Sequence, residues 1–411
     1  MDLIQLAVPF FLFAIAIELT YGLLRGHNTY RLNDAFSSLM LGMLSQARKF
    51  VVLGIGGLAY QAAADATALP QWNPGSVLTW MVAFVLYDLC YYTAHRLGHE
   101  RQILWAAHVA HHQSEDYNLS TALRQTSTGF LLGWIFYLPL FSLGIPAEVV
   151  VTVGALNLIY QFWVHTQHIP ELGWFEYVFV SPSNHRVHHA QNDCYVDRNY
   201  GGVFIVWDRL FGTYQRELPE VPCIYGIRGP IHSWNPLLAL THVYTDMAQD
   251  FWRTRRWRNR WAVLWARTGW QPEDVRARWP RAKVNLDNFV RFDPAVSGAR
   301  RWYGSVQLAG ATAWLLWGQA NPLSNLGYGV WWGLLLMTGV VTAWWLQGAS
   351  VQKLLALDGA RLTLLIALGS QVALTPLWQA GLWLWVGVSA VLLTQFVREG
   401  DQNAWPPPEG A

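Results

Sequence analysis

Long apolar runs, separated by one broad polar stretch, set the organisation of the chain. A helix needs about 20 apolar residues to cross a bilayer. Residues 4–24 meet that length, with Glu18 as their one charge. Residues 36–60 form a second run, interrupted by Arg48 and Lys49. Either the span begins near Phe50, or an amphipathic segment precedes it. A third run covers 77–92. Two short runs, 129–143 and 147–163, flank Gly144-Ile145-Pro146 and predict either two spans or a hairpin that re-enters the membrane. Residues 164–300 are polar and rich in Arg, Pro and Asn. Beyond them, 306–317, 329–346, 362–377 and 382–397 read as four further spans, and the Pro406-Pro407-Pro408 tail as disordered.

This pattern predicts an all-α integral membrane protein, a multi-span helical bundle with a helical cap over 164–300. Two domains are expected: 1–300, and a hydrophobic C-terminal region, 301–411. Composition agrees. Charged residues make up only 13% of the chain, and its 25 tryptophans suit membrane–water interfaces. The N-terminal run lacks a basic leader and a cleavage site, and reads as a retained anchor. Arg96, Arg101, Arg124, Arg186, Arg198, Arg209 and an arginine cluster at 253–267 lie outside the apolar runs. Positive charge marks the cytoplasmic side, so the cap is expected there.

That cluster mixes Arg253, Arg255, Arg256, Arg258, Arg260 and Arg267 with Trp252, Trp257, Trp261 and Trp265. Read as one helix over 251–267, it fits either an anionic lipid interface or the solvated face of a cap. A net charge of +2 gives no electrostatic case for nucleic acid. Cys90, Cys194 and Cys223 form no CxxC pair, which argues against a disulfide scaffold or an iron–sulfur cluster.

The candidate chemistry lies in histidine. Ten of the 13 histidines fall between residues 95 and 189. His95 and His99 are spaced i, i+4. His108, His111 and His112 follow at i, i+3, i+4, then His165 and His168, and then His185, His188 and His189 in a second i, i+3, i+4 group. Residues three and four apart share a helix face, so such imidazoles can converge on one ion. Adjacent histidines point about 100° apart, so each member of a pair can serve a different ion. Packing these rings without metal would bury many polar groups in need of partners. Imidazole suits iron, zinc, copper and nickel. A dinuclear histidine site with open positions suits oxygen chemistry better than a closed structural zinc.

The flanking residues sharpen the picture. Asp88-Leu89-Cys90-Tyr91-Tyr92 precedes His95, and Glu100 follows His99. Trp105 leads into His108, and Glu115, Tyr117, Asn118, Ser120, Arg124 and Gln125 follow His112. Tyr160-Gln161-Phe162-Trp163 precedes His165, and Ser183-Asn184 precedes His185. Asn199-Tyr200-Gly201-Gly202 and Trp207-Asp208-Arg209 close the run. In this order the motifs resemble the fatty acid hydroxylase/sterol desaturase superfamily, most of all its alkylglycerol monooxygenase branch, over about residues 5–280.

The resemblance implies two Fe2+ ions, O2 activation and hydroxylation of a membrane lipid. In that branch, hydroxylation beside an ether oxygen releases an aldehyde and glycerol. The implied ligands are His95, His99, His108, His111, His112, His165, His185, His188 and His189. Glu100 would orient a histidine or deliver protons, where the bland alternative is a solvated helix-end carboxylate. His168 departs from the family spacing. Electrons would come from an external tetrahydropterin or electron-transfer protein, since the chain carries no haem, flavin or ferredoxin motif. Two alternatives stand beside this reading: a sterol or fatty acid desaturase or hydroxylase of the same superfamily, and a non-enzymatic membrane metal-binding or transport protein. Adjacent His-His pairs do not suit a bis-histidine haem.

Overall fold

The computed structural model describes residues 3–46, 49–67, 69–321, 323–371 and 374–400. Arg48 and the 406–408 tail lie outside them. The helices run α1 (Leu3–Leu24), α2 (Leu32–Ser45), α3 (Lys49–Thr67), α4 (Val77–Glu100), α5 (Gln102–Ala106), α6 (Val109–His112), α7 (Leu119–Ala122), α8 (Leu138–Ser142), α9 (Ala147–Trp163) and α10 (Pro182–His189). They continue with α11 (Val206–Phe211), α12 (Pro236–Arg253), α13 (Trp257–Trp265), α14 (Glu273–Arg276), α15 (Gly298–Ala320), α16 (Asn325–Leu346), α17 (Val351–Gln371) and α18 (Pro376–Glu399). β-structure among the described residues is limited to two isolated bridges, Phe179 with Phe204 and Ala190 with Tyr225. The expected all-helical class holds.

Among the described residues, four helices are long and apolar enough to cross a membrane: Leu3–Leu24, Val77–Glu100, Leu326–Leu346 and Pro376–Glu399. By that measure the chain is a membrane protein. α1 is largely apolar and leaves Phe10, Phe13 and Leu24 largely exposed, as a lipid-facing helix does. The run over 36–60 does not form one helix: α2 ends at Ser45 and α3 starts at Lys49. The 129–143 run makes short 3-10 turns that open at Gly129 and Gly133, and then five-residue α8 with Pro139 in its first turn. It holds no helix of spanning length among the described residues, and 17-residue α9 follows it after Pro146. The expected 362–377 span is also corrected. α17 ends at Gln371 and α18 starts afresh at Pro376, where proline is favoured in a first turn. The single 251–267 helix divides into α12 and α13, with Thr254 buried between them and bonded to Asp274.

The chain forms two units. One comprises 1–30, 48–230 and 240–287, and the other 31–47, 231–239 and 288–411. Two earlier segments, 31–47 and 231–239, belong to the same unit as the C-terminal region. α2 explains the first of these, since it buries Phe36, Met40 and Leu44 in the same core as Trp331, Trp345 and Phe396. α17 carries a buried ion pair, with Arg361 Nε 2.7 Å from Asp358 Oδ1. Trp345 Nε1 donates to Asp358 at 3.0 Å, and Arg361 donates to the Tyr303 hydroxyl at 3.0 Å. These bonds tie α15, α16 and α17 together, a structural use of the few charges in this half. In the first unit α4 packs on α9, α1 on α9 and α7, and α5 on α13.

Candidate metal centre

α4 runs eight residues beyond the expected end at 92 and so carries the first histidines itself. Asp88, Tyr92, His95 and His99 are all buried on it, and their spacing of four, three and four places them on one face. The second motif is not a full helix. α6 is a single turn, and His108 stands at its N-cap. Arg124 braces the turn by donating to the Ala110 carbonyl at 2.6 Å and to Gln113 at 3.1 Å. The third motif is α10, a two-turn helix. Ser181 and Asn184 form its capping box and Pro182 opens it. His165 follows the end of α9.

The nine predicted ligands come together in two groups. His95, His99, His108, His112 and His188 form one, and His111, His165, His185 and His189 the other, with the candidate ligand atoms of each within 4.8 Å of one another. Both adjacent pairs divide between the groups, as the 100° turn requires: His111 from His112, and His188 from His189. His168 joins neither. Its ring lies edge-on to Tyr21. Glu100 also joins neither and pairs with Arg96 at 2.9 Å.

Backbone carbonyls fix several tautomers. Nδ1 of His95 donates to Tyr200 O at 2.8 Å, of His111 to Arg124 O at 2.9 Å, of His165 to Gln161 O at 2.8 Å, and of His188 to Arg198 O at 3.0 Å. A proton on Nδ1 leaves Nε2 with a bare lone pair. Yet His111 Nε2 and His165 Nε2 face each other at 3.4 Å, with no hydrogen available to lie between them. His185 Nε2 lies 3.1 Å from His165 Nε2, and His95 Nε2 lies 3.1 Å from His108 Nε2. In the first group Nε2 of His99 and of His188 is buried without a hydrogen-bond partner. Nitrogens sharing an ion at about 2.1 Å stand about 3.0–3.4 Å apart, so these donors fit a metal ion in each group.

Burial also keeps the rings neutral. Desolvation, then neighbouring imidazoles, push His108, His112, His185 and His189 well below the ordinary histidine value. His111 is lowered to about 4, again chiefly by desolvation. Neutral imidazole is the ligand form.

An outer layer holds these rings in place. Residues 197–208 form a strap whose carbonyls at Arg198 and Tyr200 receive His188 and His95. Asp197 and Asn199 take positive φ, 60° and 55°, which Asp and Asn tolerate better than other side chains. Asn199 Nδ2 donates to Asn184 O on α10 at 3.0 Å. Asp208 accepts the N–H groups of Tyr200 at 2.8 Å and Gly201 at 2.7 Å. Asp88 accepts from Val203 N at 2.8 Å, Phe204 N at 2.9 Å, Trp207 Nε1 at 3.0 Å and Asn157 Nδ2 at 2.7 Å. Buried Glu18 reaches from α1 to accept from Thr166 Oγ1 at 2.5 Å and Leu119 N at 2.8 Å. Arg186, beside His185, bonds to Glu217 at 2.7 Å and to the carbonyl of Thr166 at 3.0 Å.

Sequence reading assigned no such role to Asp88 or Glu18. Each had a signal, a carboxylate inside an apolar span, where an ionisable residue needs an internal partner. The accepting carbonyls of Arg198, Tyr200, Arg124 and Gln161 had none, since every residue has a carbonyl.

Comparison with known proteins agrees with this geometry. The fatty acid hydroxylase family model matches residues 80–213, which contain all nine histidines and the strap. Alkylglycerol monooxygenase from Xenopus tropicalis is 34% identical over 304 residues, covering 74% of this chain and 68% of the relative. The chain belongs to the fatty acid hydroxylase family. Within it, the alkylglycerol monooxygenases of Homo sapiens and Danio rerio are each 39% identical, over 272 and 267 residues. Those alignments cover 66% and 65% of this family member but only 60% and 59% of the two relatives. No solved structure matches the chain significantly.

Proposed function

We propose that this chain is a membrane-bound non-haem di-iron monooxygenase that uses O2 to hydroxylate a lipid C–H bond. The observation that carries the reading is the division of nine histidines, eight of them buried, into two groups, with Nε2 atoms converging and four Nδ1 protons tied to carbonyls. His95, His99, His108, His112 and His188 would hold one ion, and His111, His165, His185 and His189 the other. Two iron ions held there would supply open coordination positions for O2 and would pass on to it the electrons that an external reductant provides.

The chain's own residues bind, orient and exclude water. The strap carbonyls fix the His95 and His188 rings, and Arg124 O and Gln161 O fix His111 and His165. Burial of the rings excludes water from the groups. Glu100, held by Arg96 at the end of α4, moves protons at the rim of the site. The polar region around these motifs is a cytoplasmic cap, supported by Arg96, Arg101 and the 253–267 arginines.

The name of the relatives points to an O-alkylglycerol as substrate, hydroxylated beside the ether oxygen and released as an aldehyde and glycerol. An external reductant, a tetrahydropterin or an electron-transfer protein, supplies the electrons. The test is anaerobic loading with Fe(II), then O2, a pterin reductant and an alkylglycerol in detergent, comparing the wild type with His188→Ala. Aldehyde from the wild type alone supports the reading. A new carbon–carbon double bond in place of aldehyde makes the chain a desaturase.

A further inference from the structure

Six arginines and no acidic residue lie between Arg253 and Arg267. On α13, Trp257, Trp261 and Trp265 recur at i, i+4 and i+8, and with Arg258 they cover about 100° of the helix surface. That arc is the outward one: the three rings are 61%, 56% and 52% exposed, while Val263, on the opposite side, is fully buried against Met247 and Ala106. Trp252, at the end of α12, is 73% exposed. Arg255, Arg256 and Arg258 are exposed and form no ion pair among the described residues. A solvated helix face would carry mixed charge in these positions and not a stripe of indoles.

The depth of α13 is fixed by its anchorage. Arg101 and Gln102 directly follow the α4 span. Gln102 Nε2 donates to Val263 O at 3.0 Å, Gln102 N to Ala266 O at 3.1 Å, and Arg101 Nη1 to Trp265 O at 3.2 Å. α4, with 24 residues, is about 36 Å long, against a hydrocarbon core of about 30 Å. Its C-terminal end, and α13 with it, therefore falls at the headgroup level, where indole and guanidinium are both favoured.

We propose that α13 is a membrane-surface clamp that docks on anionic phospholipid. Arg255, Arg256 and Arg258 meet the headgroup phosphates, and Trp257, Trp261 and Trp265 enter the interface. The clamp holds the end of α4, and so His95 and His99, at a fixed depth. This inference stands whether or not the histidines hold iron.

The test is hydrogen–deuterium exchange of the full chain in nanodiscs of phosphatidylcholine alone, or with about a third phosphatidylglycerol. Peptides within 251–267 should exchange about tenfold more slowly in the anionic discs, with α14 peptides unchanged. R255Q/R256Q/R258Q should lose the difference, and R255K/R256K/R258K should keep it. Equal exchange in both discs overturns the proposal. So does loss of the difference in the lysine variant, because charge would then not be what the lipid reads.

Discussion

His95 on α4 donates its Nδ1 proton to the carbonyl of Tyr200 at 2.8 Å, a bond that spans 105 residues of chain. The orientation of a first-group histidine is thus decided by a strap that offers it only a backbone carbonyl. Gly202 lies in that strap against α4. A Cβ there would meet Tyr91 Cδ1 at 2.8 Å and Asp88 Oδ1 at 2.9 Å, closer than real Cβ atoms come. Gly202→Ala should therefore shift the strap and weaken the first group while sparing the second. Metal analysis should find close to one ion per chain.

The two groups predict separable losses. Wild type loaded with Fe(II) should hold two ions per chain, and His99→Ala and His189→Ala about one each, by mass-spectrometric metal analysis. Chelation should also lower the unfolding temperature, since an ion present at 100 times its dissociation constant adds about 2.7 kcal/mol. Variants that each lose both ions would mean one coupled site in place of two.

Asp88→Ala leaves four donors without their acceptor, three of them on the strap, Val203 N, Phe204 N and Trp207 Nε1. A loss of about 3 kcal/mol is expected, read as a lower midpoint of thermal unfolding in detergent. A midpoint within a degree of wild type would show that the strap does not depend on this carboxylate.

Glu18→Ala removes the bonds from α1 to Thr166, next to His165 in sequence, and to Leu119. A loss of about 2 kcal/mol is expected. Protease access to the loop between α1 and α2 should rise. Unchanged cleavage would place the docking of α1 in its apolar contacts alone.

Glu100→Gln should keep both ions and change stability by less than about 1 kcal/mol, because its partner Arg96 is partly exposed. If Glu100 moves protons, turnover should fall about a hundredfold at unchanged metal content. Wild-type turnover would return Glu100 to the role of a helix-end carboxylate.

Helix periodicity in histidine and the apolar runs are local properties, so they were legible in the sequence. The i, i+4 spacing marks rings that share a group, His95 with His99, His108 with His112 and His185 with His189, while His111 and His188, at i+3, join the opposite group. Segment boundaries were less legible where short apolar runs met Gly or Pro. At 129–143 and 362–377 the hydrophobicity continues although the helix does not, because backbone geometry ends it.

The sequence by itself determined the helical class and which histidines gather into the candidate centre, because residue type and near-neighbour spacing are written directly in it. Tertiary structure alone decided that His165 joins His111, His185 and His189, that His108 rests on a single turn, and that Tyr200 and Arg198 orient His95 and His188. Backbone carbonyls accept these protons, and no side-chain pattern marks which carbonyl will lie within reach once distant segments pack.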